Sequence, residues 1–232
     1  MRRLNAVLFD AFGTLFAPVS AGSPVAHLCR LLASDGVRAS PERAERAIVA
    51  EVALYRERFP LIRTPEELRQ LEYAATDIVL SELVLPDFPR DRMRQHLLDL
   101  FALTVFPDVE PALTSLQERD LALGVVSNYN ALLSTHLTEL GLADWFRVTV
   151  NSADYGKPKP APGIFHEATR QLGLPLDRVL YVGDDVDNDY YGARQAGLHA
   201  VLLSRDVAPV AEEIRAIHAL TELPSHLDRH FV

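Results

Sequence analysis

Cysteine is nearly absent: Cys29 is the only one in 232 residues. A lone thiol forms no intrachain disulfide and no thiolate metal cluster, so the fold rests on a hydrophobic core, and a reducing, cytoplasmic setting is expected. Long apolar runs are missing too. None approaches the roughly 20 residues that span a bilayer, and the apolar stretch behind Arg2 and Arg3 is broken by Asp10 with no cleavage-site pattern after it, unlike a signal peptide. Positive charge is scarce, with 23 Lys and Arg against 32 Asp and Glu, a formal net charge of −9. That balance argues against nucleic acid or a membrane as partner, but leaves room for a local basic pocket that takes a small phosphorylated molecule. The eight histidines have no metal-ligand spacing, and the chain has no internal repeat or low-complexity segment. Nothing in the composition bears on oligomeric state.

With 48% hydrophobic and 24% charged residues, the sequence is that of an ordinary globular protein long enough for a substantial core, either one large domain or a core with an insertion. Leu4 to Phe9 reads as a short buried strand running into Asp10, and Gly13 lets the chain turn. From Ser23 to Phe106 the pattern is helical, without a strand signal. Ser40 and Pro41 begin one helix whose inward face is expected at Ala44, Ile48, Val52, Tyr55 and Phe59; Thr64 and Glu67 have the capping-box form at the head of a second, and a third is expected from Pro89 to Leu103. From Pro107 the pattern alternates. Helices are expected over 109–118, 130–140, 162–172 and 188–196, and strands over 121–126, 147–150, 178–182 and 200–203. Such a βα succession implies an α/β fold with a doubly wound parallel sheet, to which the first strand belongs, and a helical insertion.

The carboxyl ends of adjacent strands in such a sheet share one crevice. Asp10 follows the first strand, Ser127 and Asn128 follow 121–126, and Asp184 and Asp185 follow 178–182; Lys159 stands just ahead of a helix and is able to reach the same place from its loop. Converging carboxylates repel one another and need a cation or a proton. Asp10 and Asp184 suit Mg²⁺, a hard ion that takes few carboxylates, while Lys159 supplies fixed positive charge and Ser127 a hydroxyl donor for an oxyanion.

Four short stretches carry a family resemblance: Phe9-Asp10-Ala11-Phe12-Gly13-Thr14-Leu15, Val126-Ser127-Asn128, Lys159-Pro160-Ala161-Pro162, and Val182-Gly183-Asp184-Asp185-Val186-Asp187-Asn188-Asp189. In this order the sequence resembles the haloacid dehalogenase superfamily of hydrolases, whose core is Rossmann-like. The resemblance implies Asp10 as nucleophile, Ser127 and Lys159 holding the nucleophile and the substrate's oxyanion, and Asp189 acting behind them. It implies Mg²⁺ on Asp10, Asp184 and the main-chain carbonyl of Phe12, with Phe12, Gly13, Thr14, Ser127, Asn128 and Lys159 around the substrate. It also implies a catalytic core at 1–16 and 107–232 and a helical cap at 17–106 that sets substrate choice.

One position departs from the phosphatases of that superfamily. They carry a second Asp two residues after the nucleophile as general acid and base, and here the residue is Phe12. General acid–base catalysis contributes about 10²- to 10⁴-fold, so a phosphate ester with a poor leaving group is expected to react slowly. The dehalogenases also carry an aromatic residue there, because a halide leaves without a proton; yet they use no metal, and their fourth motif lacks the density of Asp184, Asp185, Asp187 and Asp189. The expected function is Mg²⁺-dependent hydrolysis of a small phosphorylated metabolite. The alternatives are a metal-independent 2-haloacid dehalogenase and a protein that binds phosphometabolites with little or no catalysis.

Plainer roles compete at several residues. Lys157 competes with Lys159, Ser127 is suited to cap the next helix, and Asp185 and Asp187 suit a helix N-terminus. Trp145 and Phe146 are expected as a core anchor, and Arg56 and Arg58 as part of a solvated helix face.

Overall fold

The computed structural model describes residues 4–18, 23–205 and 211–231. The chain divides into two compact units, Met1–Ala17 with Val105–Val232, and Pro18–Thr104. It enters through β1 (Ala6–Phe9), buried at every position as the apolar run requires, and then β2 (Phe16–Pro18).

The second unit is helical: α1 (Pro24–Ser34), α2 (Pro41–Arg58), α3 (Pro65–Leu83) and α4 (Arg90–Leu100). Local chemistry sets their starts. Ser23 and Ser40 cap α1 and α2, and Thr64 and Glu67 form the expected capping box on α3. Leu28, Leu32, Ala44, Ile48, Val79, Leu83, Met93 and Leu97 form its core. The buried face of α2 differs from the expected one. It runs through Ala44, Ala47, Ile48, Glu51 and Leu54, while Val52 is exposed. The helix packs on both α1 and α3, so two neighbours set its stripe, and this turns Glu51 inward. Helix α4 stops three residues short of Leu103, and β3 (Leu103–Val105) follows, pairing with β2 in a two-stranded ribbon. No strand was expected there, because three residues carry too little alternation to read.

The rest of the chain alternates: α5 (Val109–Gln117), β4 (Ala122–Ser127), α6 (Leu133–Glu139), β5 (Val148–Asn151), α7 (Ser152–Tyr155), α8 (Pro162–Leu172) and β6 (Val179–Gly183). Then come a π-helical segment (Val186–Tyr191), α9 (Gly192–Gln195), β7 (His199–Leu203), β8 (Ala216–Ile217) and α10 (Leu223–His230). The main sheet has the order β5-β4-β1-β6-β7-β8, and its neighbours are parallel. Strand β1 is therefore central, and its end lies between the ends of β4 and β6, the crossover position where α/β sheets bind ligands. Trp145 and Phe146 are only half-buried, not a core anchor; Phe146 meets Phe9 edge-on at 6.4 Å. The single helix expected over 188–196 is a π-helical turn that starts at Val186 and passes into α9. Its cap is Asp185, which accepts hydrogen bonds from the amides of Asp187 (2.9 Å) and Asn188 (2.7 Å).

Candidate active site

Asp10 extends the β1–β6 ladder by one step, its amide donating to Val182 O at 2.9 Å, which fixes its carboxylate at the sheet's edge. The chain then turns tightly. Leu15 N and Phe16 N both donate to Ala11 O, and Gly13 N donates to Phe16 O. Gly13 has φ +85°, and a Cβ there would stand 2.3 Å from Asp184 Oδ2, so only glycine leaves room for that carboxylate. Thr14 Oγ1 donates to Asp184 Oδ1 at 3.2 Å. The turn after β1 thus fits against the end of β6.

Lys159 is buried, whereas Lys157 is exposed, which separates the two candidates. Its Nζ donates to Asp10 Oδ1 (2.6 Å), Asp189 Oδ1 (2.6 Å) and the Tyr181 hydroxyl (2.8 Å). The phenol of Tyr181 donates in turn to Val126 O at 2.7 Å, with Asp189 Oδ1 at 3.2 Å, so toward Lys159 its oxygen is a hydrogen-bond acceptor. Burial alone would lower the lysine's pKa, but the charges of Asp10 and Asp189 raise it, and the ammonium persists. Asn128 holds the lysine's backbone from both sides: its Oδ1 accepts from Lys159 N at 2.7 Å and its Nδ2 donates to Lys159 O at 3.0 Å. That spends the Asn128 amide on the loop.

Asp189 is buried and accepts from Asp185 N at 3.0 Å through its second oxygen. Burial, then the charge of Asp10, raises its pKa to about 6 against the pull of Lys159. Asp184 stands at the exposed lip, its pKa raised first by desolvation and then by Asp189. Ligand oxygens of Asp10, Asp184 and Asp189 all lie within 4.8 Å of one another, an arrangement able to hold a metal ion. Ser127 is buried at the end of β4, in register with Asn151 of β5. Phe12 is 48% exposed, its ring edge-on to Phe16.

Of the residues singled out from sequence, Asp10, Gly13, Thr14, Lys159, Asp184 and Asp189 come together. Asp185 and Asp187 serve the π-helical turn. Tyr181 was not anticipated. The signal was a phenol inside the otherwise apolar Val179–Val182 run, since a buried tyrosine needs a partner for its hydroxyl. Among the described residues, no helix is long and apolar enough to cross a membrane.

Comparison with known proteins gives concordant matches. The family described as haloacid dehalogenase-like hydrolase matches residues 4–197. The glyceraldehyde 3-phosphate phosphatase of Methanopyrus kandleri is 30% identical over 212 residues, covering 87% of this chain and 84% of that one. Among solved structures, an HAD phosphatase from Thermococcus onnurineus aligns with TM-score 0.63 and 25% identity over 99% of this chain and 100% of its own. A 2-haloacid dehalogenase from Pseudomonas syringae pv. Tomato DC3000 aligns with TM-score 0.60 and 27% identity, over 97% and 99%. The chain belongs to the haloacid dehalogenase-like hydrolases.

Proposed function

We propose that this hydrolase is a Mg²⁺-dependent phosphatase of a small phosphorylated metabolite, acting through an aspartyl-phosphate on Asp10. The observation that carries the reading is the charge count around Lys159. Three carboxylates gather about one ammonium, and a divalent cation balances the remainder. The donor set fits: Asp10 Oδ2 and Asp184 Oδ2 are not engaged by Lys159 or Thr14, and the carbonyl of Phe12 belongs to the same turn. Both oxygens of Asp189 already accept hydrogen bonds, so its part is to hold Lys159. Bound Mg²⁺ would supply charge for the phosphoryl oxygens.

In this reading an Asp10 oxygen attacks phosphorus, the bond to the ester oxygen breaks, and the alcohol departs with a proton from solvent. Water then attacks the phosphorus of the aspartyl-phosphate, loses its proton to solvent, and frees phosphate and Asp10. Lys159 holds Asp10 in place, Ser127 donates to the phosphoryl oxygens, and Gly13 and Thr14 shape the wall beside them. Phe12 has no proton to exchange, so leaving groups that need little protonation are favoured. Residues 17–106 are assigned as the substrate-selecting cap, and the single cysteine suits the cytoplasm.

The test uses an activated aryl phosphate. Turnover that requires Mg²⁺ and disappears in Asp10→Asn is expected; no turnover at all would sink the reading. Phe12→Asp is expected to raise the rate on alkyl phosphates by about 10²-fold or more, as restored acid–base catalysis does. A second reading, metal-free hydrolysis of 2-haloacids, draws on Phe12 itself. Halide release in the presence of chelator would favour it.

A further inference from the structure

Arg205, two residues past β7, has no place in the chemistry above, yet it grips the turn that follows Asp10. Its Nη2 donates to Thr14 O at 2.7 Å and its Nε to Gly13 O at 3.4 Å. Its Nη1 donates to Asp108 Oδ2 at 2.9 Å, and the same oxygen accepts Leu220 N at 2.7 Å. The guanidinium lies 3.8 Å from the centroid of the Phe106 ring, and Phe106 N donates to Leu15 O at 3.0 Å. Three successive carbonyls of the turn, those of Gly13, Thr14 and Leu15, are thereby tied to one anchor. Among the described residues, no other hydrogen bond reaches the first two.

We propose that Arg205 is a positioning residue: it fixes the 13–14 segment from behind, and so sets both the Thr14 hydroxyl against Asp184 and the Phe12 carbonyl toward the metal. Only the clause about metal rests on the Mg²⁺ reading. The residue type follows from the geometry. A planar fork spans two carbonyls and a carboxylate while lying flat on an aromatic ring, and the point charge of a lysine does not. The fork needs an immobile base, which Asp108 provides through its bonds to Arg205 and Leu220. Contacts behind metal ligands typically govern affinity by about 10- to 100-fold.

The experiment compares the wild-type chain with Arg205→Gln, Arg205→Lys and Asp108→Asn. It measures amide hydrogen exchange over residues 11–16, Mg²⁺ affinity by calorimetry, and Tm. The expected result for Arg205→Gln is exchange in 11–16 accelerated more than in the sheet strands, with Mg²⁺ affinity lowered about tenfold. Arg205→Lys should restore neither, and Asp108→Asn should give a smaller change of the same kind. Exchange that rises evenly through the sheet, or full recovery in Arg205→Lys, would overturn the tether. If Arg205→Gln does not fold, unaltered exchange in Asp108→Asn overturns it instead. If the wild-type chain binds no Mg²⁺, the phosphatase reading falls, and the exchange data still decide the tether.

Discussion

Each unit buries carboxylates, and they are treated in opposite ways. In the α/β unit, Asp10 and Asp189 each stand 2.6 Å from the ammonium of Lys159, so each buried carboxylate has a cation against it. In the helical unit, Glu51 is 4% exposed and has no hydrogen bond or ion pair among the described residues. Burial alone pushes its pKa up to about 7. A buried charge is tolerated where it is paired and hydrogen-bonded; elsewhere the group takes up a proton. The difference teaches where this chain keeps polarity for chemistry and where polarity is a cost of packing.

Removing Lys159 breaks the first half of the contrast. Lys159→Met leaves two buried carboxylates with no cation, and the expected loss is about 3–5 kcal/mol, the usual cost of orphaning a buried charge. Without the ammonium Asp189, already raised by burial, loses the charge that pulls its pKa down, so the variant's deficit in denaturant melts should shrink toward pH 4 and grow toward pH 8.

Glu51→Gln tests the other half. Below pH 4.5 the glutamate is protonated in both folded and unfolded chains; between pH 4.5 and about 7 the unfolded chain releases a proton that the folded one keeps. Stability therefore falls as pH rises through that window, by on the order of 3 kcal/mol in all. The glutamine variant should lose this slope and melt higher than wild type at pH 8. An unchanged Tm profile would contradict it.

The half-buried pair of Arg94 and Glu72, in contact at 2.8 Å within the helical unit, lies between these extremes. Arg94→Gln should cost about 1 kcal/mol, with part of that loss from the Tyr73 ring, which lies 5.3 Å away. Smallest of all is Arg90→Gln. Its partner Asp77 is met at 2.6 Å through two bonds, but both side chains are about half exposed, and a urea titration in about 0.15 M salt is expected to show little or no change.

Much of the α/β unit was legible because its strands announce themselves. The runs around Leu8, Val125 and Val182 are apolar on both faces, and only a parallel sheet covered on both sides has use for such strands. The gathering of Asp10, Lys159 and Asp184 followed from that topology, since each stands at a strand end or a loop beside one, whereas Asp189, inside the π-helical segment, was reached through the family resemblance. What escaped has physical reasons. Glu51 went unread because periodicity gives the phase of a buried stripe only to within a residue, and the second neighbour of α2 decided it. The β2–β3 ribbon is too short for a pattern. Arg205 finds its partners 191 and 192 positions away, and nothing local marks it. The hold of the Asn128 amide on the backbone of Lys159 is likewise a contact that no local pattern announces.

The three bonds of Lys159 have a further consequence, best put as a proton inventory. The ammonium's three protons go to Asp10, Asp189 and Tyr181; the phenol's goes to Val126 O and the threonine's to Asp184. None of these donors is idle, so in the proposed phosphatase reaction a departing oxyanion would find no proton among them and would leave at a rate governed by its own basicity. Ranked by the acidity of the alcohol released, substrates of this enzyme should fall on a steep line, with the chain selecting by leaving group as much as by shape.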